Sequence, residues 1–219
     1  MKSAKFTGAA AYLPGSLTLP ALQAAVQDCR GCDLYKNATQ AVFGEGRASA
    51  RIVMVGEQPG NEEDVEGRPF VGPAGKILQR AIQEVGLAAD DVYITNVVKH
   101  FKFEERGKRR IHKKPGAAEV EACIPWLKAE IGCVQPKVIV CLGATAAQAL
   151  LGRSFRLTKE HGRFVEHPLA PYVTATLHPS AILRAPDRDQ RHAAYQQLVT
   201  DLRNVREALE SRVTRAGRA

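Results

Sequence analysis

The sequence has no uninterrupted run of about 18 apolar residues, so its hydropathy holds no ordinary membrane-spanning helix. Its opening stretch, MKSAKFTGAAAYLPGS, lacks an apolar segment followed by a cleavage site. The expectation is a cytoplasmic protein with no membrane partner. Five cysteines, Cys29, Cys32, Cys123, Cys133 and Cys141, make an odd number without a secretion signal, which argues against a disulfide framework and leaves metal ligation or plain burial. Acidic residues are short relative to basic ones, 23 against 31, for a net charge of +8. That imbalance favours a polyanionic partner such as nucleic acid. Internal repeats and low-complexity tracts are absent as well.

What is present is enough apolar material for a core: 45% of 219 residues, a length that suits one large domain. Residues 1–18 mix Gly, Pro and small side chains without periodicity and read as a flexible arm, 19–212 as the single domain, and 213–219 as a basic tail. From Pro20 a short helix delivers Cys29 and Cys32. RIVMVG (Arg51–Gly56) is a continuous apolar run ended by glycine, the pattern of a buried parallel strand. Pro73–Val85 is helical, with Ile77, Leu78, Ala81, Ile82 and Val85 on one face and Gly86 as its stop. Strands follow at Val92–Val98, Val138–Leu142 and Tyr172–Leu177, helices at Ala117–Ile131 and after Gly143, a hairpin-like stretch through Val165, and a last helix over about Gln190–Arg212. Alternating strands and helices imply an α/β fold with a four-stranded parallel sheet covered on both faces.

Ligands bind outside the carboxyl ends of such strands, and the unusual polar segments fall there. GEQPGNEEDVEGRPFVG follows the first strand, the basic stretch KHFKFEERGKRRIHKKP (Lys99–Pro115) the second, and LHPS the fourth. Each has a plain structural explanation. GEQPG can be a tight turn with Glu62, Glu63 and Asp64 solvated, Asn96 a strand-end cap, His178 a turn residue, Phe70 a core residue, and the basic run a solvated surface. Their convergence on one rim favours a site.

These motifs, GEQPG with EED and GRPFVGPAG, TNVVKHFKF, KRRIH and HPSAILR, resemble the uracil-DNA glycosylase superfamily, most closely its UdgX branch, which is related to the iron–sulfur family 4 enzymes. The resemblance runs from about Ala21 to Arg206. It implies excision of uracil from DNA, single strands preferred, by a monomer. It further implies that Asn96 reads the uracil edge, that Phe70 stacks on the flipped base, that Gly56, Gln58 and Asp64 complete the base site, and that His178 donates a hydrogen bond to O2 as charge develops. Glu57 matches the residue that assists water in ordinary relatives. In UdgX-like proteins a histidine, matched here by His112, attacks the sugar instead, and Glu57 would orient it and take its proton. The protein would then remain covalently joined to the abasic site. Lys108, Arg109, Arg110, Lys113 and Lys114 would meet phosphates, and Ser180 and Arg184 would contact the strand. Two alternatives stand beside this reading: a conventional multiple-turnover glycosylase using water, and a non-catalytic iron–sulfur DNA-binding module.

Thiolates at Cys29, Cys32 and Cys123 suit an iron–sulfur cluster, with zinc the alternative on spacing alone. Counting cysteines nominates Cys133 as the fourth ligand. The resemblance instead puts His100 at the position of a cluster cysteine, implying a [4Fe-4S] cluster held by Cys29, Cys32, His100 and Cys123. Cys141, inside KVIVCLG, reads as a buried hydrophobe.

Overall fold

The computed structural model describes residues 6–216, with side chains through residue 210, and the statements below concern those residues. The elements in chain order are α1 (Leu19–Ala25), β1 (Ile52–Gly56), α2 (Asn61–Glu66), α3 (Pro73–Glu84), β2 (Val92–Asn96), β3 (Phe103–Arg106), β4 (Arg109–His112), α4 (Ala117–Val134), β5 (Val138–Leu142), α5 (Ala144–Leu151), α6 (Leu157–Glu160), β6 (Val165–His167), β7 (Ala170–Thr176), α7 (Pro179–Leu183) and α8 (Arg188–Ala216). The main sheet has the order β2-β1-β5-β7-β6. β2, β1, β5 and β7 are parallel, and every residue of β1 and β5 is buried, as their unbroken apolar runs require.

The expected four-stranded sheet is therefore a five-stranded one. The addition, β6, pairs antiparallel with the β7 edge across a register shift, and both Val165 and Glu166 are exposed. A short, polar edge strand carries no apolar signal and needs none, because only one of its sides is paired. Two cores flank the sheet. One includes Trp126, Leu127 and Ile131 of α4 with Ala146 and Ala147 of α5, and the other includes Leu78 and Ile82 of α3 with Leu198 and Leu202 of α8. The hydrophobic effect at about 25 cal/mol per Å² makes these two layers the main stabilising term.

The N-terminal stretch expected as a flexible arm packs on the domain from residue 6 onward. Ala9 is buried and the Gly8 N–H donates to the Gly31 carbonyl at 3.0 Å. Residues 1–5 and 217–219, parts of the expected arm and tail, lie outside the described residues.

The basic stretch after β2 is an antiparallel hairpin, β3–β4, with Gly107 at φ +59° in its turn. The register sets Phe103 opposite His112 and Glu105 opposite Arg110. Because side chains alternate, Arg110 and His112 share one face and Arg109 and Ile111 the other. The first face turns inward: Arg110 lies over the rings of Phe103 and Phe101, at 5.0 and 5.6 Å, and pairs with the buried Asp64 at 2.6 Å.

Candidate active site

The carboxyl ends of β1, β2, β5 and β7 open onto one cavity of about 490 Å³, lined among others by Glu57, Phe70, Asn96, His112, Thr145 and His178. Its back wall is close backbone packing. A Cβ on Gly56 would lie 2.3 Å from Asn96 Oδ1 and 2.7 Å from Phe70 Cζ, so only glycine lets both groups approach the strand end. Phe70 itself has φ +55°, a conformation rare for a bulky residue and held here by a tight turn in which Gly75 sits against the Phe70 carbonyl. Its ring centroid is 5.9 Å from that of His178. Glu63 ties this turn to the first loop, its carboxylate accepting from the N–H groups of Gly60, at 3.0 Å, and Gly72, at 2.9 Å.

Asn96 is 2% exposed, and its Oδ1 has no hydrogen-bond partner. An unsatisfied buried acceptor costs on the order of 1–3 kcal/mol, a cost that a ligand donor would relieve. His178 faces the same cavity. Its Nδ1 accepts from the Ser180 N–H at 3.1 Å and stands 2.7 Å from the Ser180 hydroxyl, which is held in turn by Arg184 at 3.0 Å. With Nδ1 accepting, the neutral ring carries its proton on Nε2. Burial, reinforced by Arg184 and His112, pushes the His178 pKa down to about 4, so at neutral pH this is an uncharged donor.

His112 Nε2 stands 3.6 Å from Glu57 Oε1. The other Glu57 oxygen, Oε2, accepts from the Thr145 hydroxyl, which fixes the carboxylate at the N-terminus of α5. Burial lowers the His112 pKa, Glu57 opposes that shift, Arg184 adds to it, and a hydrogen bond from the ring to its own carbonyl opposes it. A neutral ring donating to its own carbonyl leaves a lone pair on Nε2. Gln58 holds both stems of the hairpin: its Oε1 accepts from the Lys102 N–H at 3.1 Å, and its Nε2 reaches the carbonyls of Lys102 and Lys113, at 3.2 and 2.9 Å. The same Nε2 is 2.9 Å from His112 Nε2. Its two hydrogens can both go to carbonyls, which frees the imidazole lone pair.

Most of the residues expected at the site are brought together. Glu57, Gln58, Phe70, Asn96, His112, His178, Ser180 and Arg184 line the cavity, and Gly56 backs it. Asp64 is not among the lining residues. It is fully buried and accepts from the Thr39 N–H and hydroxyl as well as from Arg110. Arg110, expected at phosphates, is committed to Asp64 and Asn61 inside the fold. Lys108 and Arg109 are exposed at the hairpin tip, and Lys113 pairs with Glu104 at 2.5 Å. Thr145 and Glu63 carried no signal of their own in the sequence, since a small-residue helix start and an acidic run have many other uses.

A family described as the uracil DNA glycosylase superfamily matches residues 43–203. The chain belongs to the uracil-DNA glycosylase superfamily. It is 40% identical over 174 residues to a type-4 uracil-DNA glycosylase of Thermotoga maritima, covering 79% of this chain and 87% of the relative. It is 37% identical over 195 residues to a type-4 uracil-DNA glycosylase of Saccharolobus solfataricus, covering 85% and 84%. A type-5 uracil-DNA glycosylase of Pyrobaculum aerophilum is 33% identical over 158 residues, covering 63% of this chain and 64% of its own length. Within this superfamily scaffold the cavity falls at the strand ends, where an α/β sheet presents its chemistry.

Behind the cavity lie the thiols. Cys29 and His100 line a small cavity of about 160 Å³. Cys123 accepts from the Lys99 N–H at 3.3 Å, and Cys29 from Trp126 Nε1 at 3.2 Å. Burial raises the Cys123 pKa to about 12, with the Lys99 charge and N–H opposing and Cys32 and Cys29 adding. Cys133 lies about 15 Å further along α4 than Cys123, and its thiol donates to the Leu17 carbonyl at 3.1 Å. Among the described residues no three His, Cys, Asp or Glu side chains are grouped as ligands of a single metal ion.

Proposed function

We propose that the protein excises uracil from DNA and is captured on the resulting abasic site by His112. The carrying observation is that His112 and Glu57, 3.6 Å apart, share one cavity with Asn96, Phe70 and His178. Uracil enters flipped out of its strand, its face on Phe70 and its edge on Asn96. The Asn96 amide offers a donor to O4 and, through the unpaired Oδ1, an acceptor to N3–H, whereas cytosine would set its amino donor against the amide donor and its N3 acceptor against Oδ1. As the C1′–N1 bond breaks, its electron pair leaves with uracil, and the His178 Nε2–H stabilises the charge arriving on O2. Nε2 of His112 supplies the lone pair for the new bond to C1′; because Glu57 faces that nitrogen, the Nδ1 proton is then lost to solvent and not, as the resemblance implied, to Glu57. The Glu57 carboxylate stabilises first the cationic sugar and then the cationic ring.

A uracil-containing single-stranded oligonucleotide, incubated with the protein, should release uracil and give a band of reduced mobility that survives SDS and heat. Uracil release without any such band would make the protein a conventional glycosylase in which Glu57, held by Thr145, directs a water. Binding with no release would leave a DNA-binding module.

His178→Ala should slow uracil release by roughly 10²–10³-fold, the usual cost of one oxyanion donor. Because the folded pKa is about 4 against an ordinary 6.5, the donor is present at all pH above about 4. The ratio of wild-type to variant rates should stay constant from about pH 8 to 5, because the ring keeps one protonation state across that range. Stability from keeping this ring neutral is complete above its ordinary pKa. It is lost as pH falls from 6.5 toward 4, at about 1.4 kcal/mol per pH unit.

Cys29, Cys32, His100 and Cys123 fit a [4Fe-4S] cluster. They are buried, two sulfurs accept N–H hydrogen bonds, and thiols raised by burial become thiolates only beside a strong cation. The cluster would supply a fixed cross-link between the turns that follow α1, helix α4 and the segment that leads into the hairpin. Anaerobically purified protein should be brown, and His100→Ala should speed loss of the colour more than Cys133→Ala. A colourless zinc protein, or the reverse order of the two variants, would overturn this ligand set.

A further inference from the structure

A second cavity, of about 370 Å³, lies between α4 and α5. It shares Lys114 and Thr145 with the reaction cavity, so the two adjoin at those side chains. Pro115, Val120, Ile124 and Ala149 give it an apolar floor, and the exposed Arg153 closes its far end. From Thr145 to Arg153 the chain runs along α5 and just past it, a span of about 12 Å at the helical rise. That is several times the spacing of about 3.4 Å between successive nucleotides of one strand in a duplex, so the groove has the length for a nucleotide. Glu121 is the single carboxylate lining it, against two cations. Arg156 stands beside Arg153, its Nη1 donating to the carbonyls of Arg153 and Ser154 at 3.1 and 3.2 Å. Leu157, the next residue, returns to line the reaction cavity.

We propose that this groove seats the nucleotide next to the flipped uridine, with its base on the apolar floor and its phosphate between Lys114 and Arg153. This rests on the uracil reading of the neighbouring cavity. A base can enter the groove only when it is unpaired, so the same surface selects single strands over duplex. The floor offers apolar contact, and the one side-chain amide lining the groove, that of Gln148, already donates to the Phe155 carbonyl at 3.3 Å, which makes the surface tolerant of base identity. Arg153 is the residue whose charge is committed to this role. It lies outside the reaction cavity, and its removal leaves the chemistry in place.

The test uses a short fluorescent single strand with a central 2′-fluoro-2′-deoxyuridine, which resists excision, and matched strands in which the base on one or the other side is replaced by an abasic spacer. Binding is read by anisotropy across a salt series, and uracil release is measured separately on the ordinary deoxyuridine strand. Arg153→Ala should weaken binding by roughly 3- to 10-fold and flatten the salt slope by about one counterion, with the release rate at saturating strand unchanged. Removing the base on one side should weaken wild-type binding several-fold but leave an Ala149→Phe variant, whose groove is filled, unaffected. Equal binding by wild type and Arg153→Ala, or equal binding of both spacer strands and the intact strand, would overturn the proposal. Arg153-dependent binding by a wild type that never releases uracil would sustain the groove and overturn the uracil reading instead.

Discussion

His112→Gly should abolish the SDS-resistant adduct completely while uracil release continues. In the proposed reaction the imidazole supplies only the lone pair that bonds to C1′. Base recognition by Asn96, support by Phe70 and the O2 donor at His178 all come from other elements, so bond breaking retains its main stabilising terms. Removal of the ring also opens a space beside Glu57, whose carboxylate is held by Thr145 and can direct a water into it. The expected outcome is conversion of a single capture into repeated turnover, read by free uracil exceeding the protein concentration. Loss of release together with the adduct would mean that His112 drives bond cleavage itself. An adduct that persists in the glycine variant would assign capture to another residue.

Lys99→Met should destabilise the fold by about 3–5 kcal/mol, the range for stripping one partner from a buried ion pair. Lys99 and Glu130 are both wholly buried, 2.6 Å apart, and the ammonium also donates to Thr95 Oγ1 and the Asn96 carbonyl, at 2.7 and 2.8 Å. Glu130 further accepts from the Gly44 N–H at 3.0 Å. Replacing Lys99 alone leaves a carboxylate in the core without its cation. A Lys99→Met/Glu130→Gln double variant removes the charge from both sides and should recover much of the loss, because a neutral pair carries a smaller desolvation penalty. Urea midpoints for the two singles and the double variant check this. A single-variant cost under about 1 kcal/mol would mean that water reaches the pair. The network also bears on the site: it pins the backbone of Asn96 to α4, the helix that carries Cys123.

The sheet was readable because its two central strands, β1 and β5, are buried throughout and unbroken in hydrophobicity, and β2 and β7 are mostly so. The hairpin was not. In FEERGKRRIH the inward positions include Arg110 and His112, so the alternation that marks a half-buried strand is written in charged residues and looks like a solvated run. Asp64 illustrates the same limit in reverse. Three consecutive acids at the start of α2 read as surface, yet Glu63 caps the loop and Asp64 is buried against Arg110 and Thr39. Lys99 carried a clue in closing an apolar run, as did Glu130 between the apolar Ala129 and Ile131 of α4. Pairing them required the fold, since they lie on different elements 31 positions apart. The roles proposed for Asn96, His112 and His178 come from a family resemblance. Physical pattern alone reached only their placement at strand ends.

The two ends of the hairpin are fastened by one amide, that of Gln58, which bonds at Lys102 before β3 and at Lys113 after β4. Its inner face is fastened separately by Arg110. Nothing that holds His112 therefore passes through the turn at Gly107. The tip, with the exposed Lys108 and Arg109, can bend or tilt without changing what holds the imidazole beside Glu57. Under the proposed function, the hairpin would meet DNA loosely at its edge and rigidly at its centre.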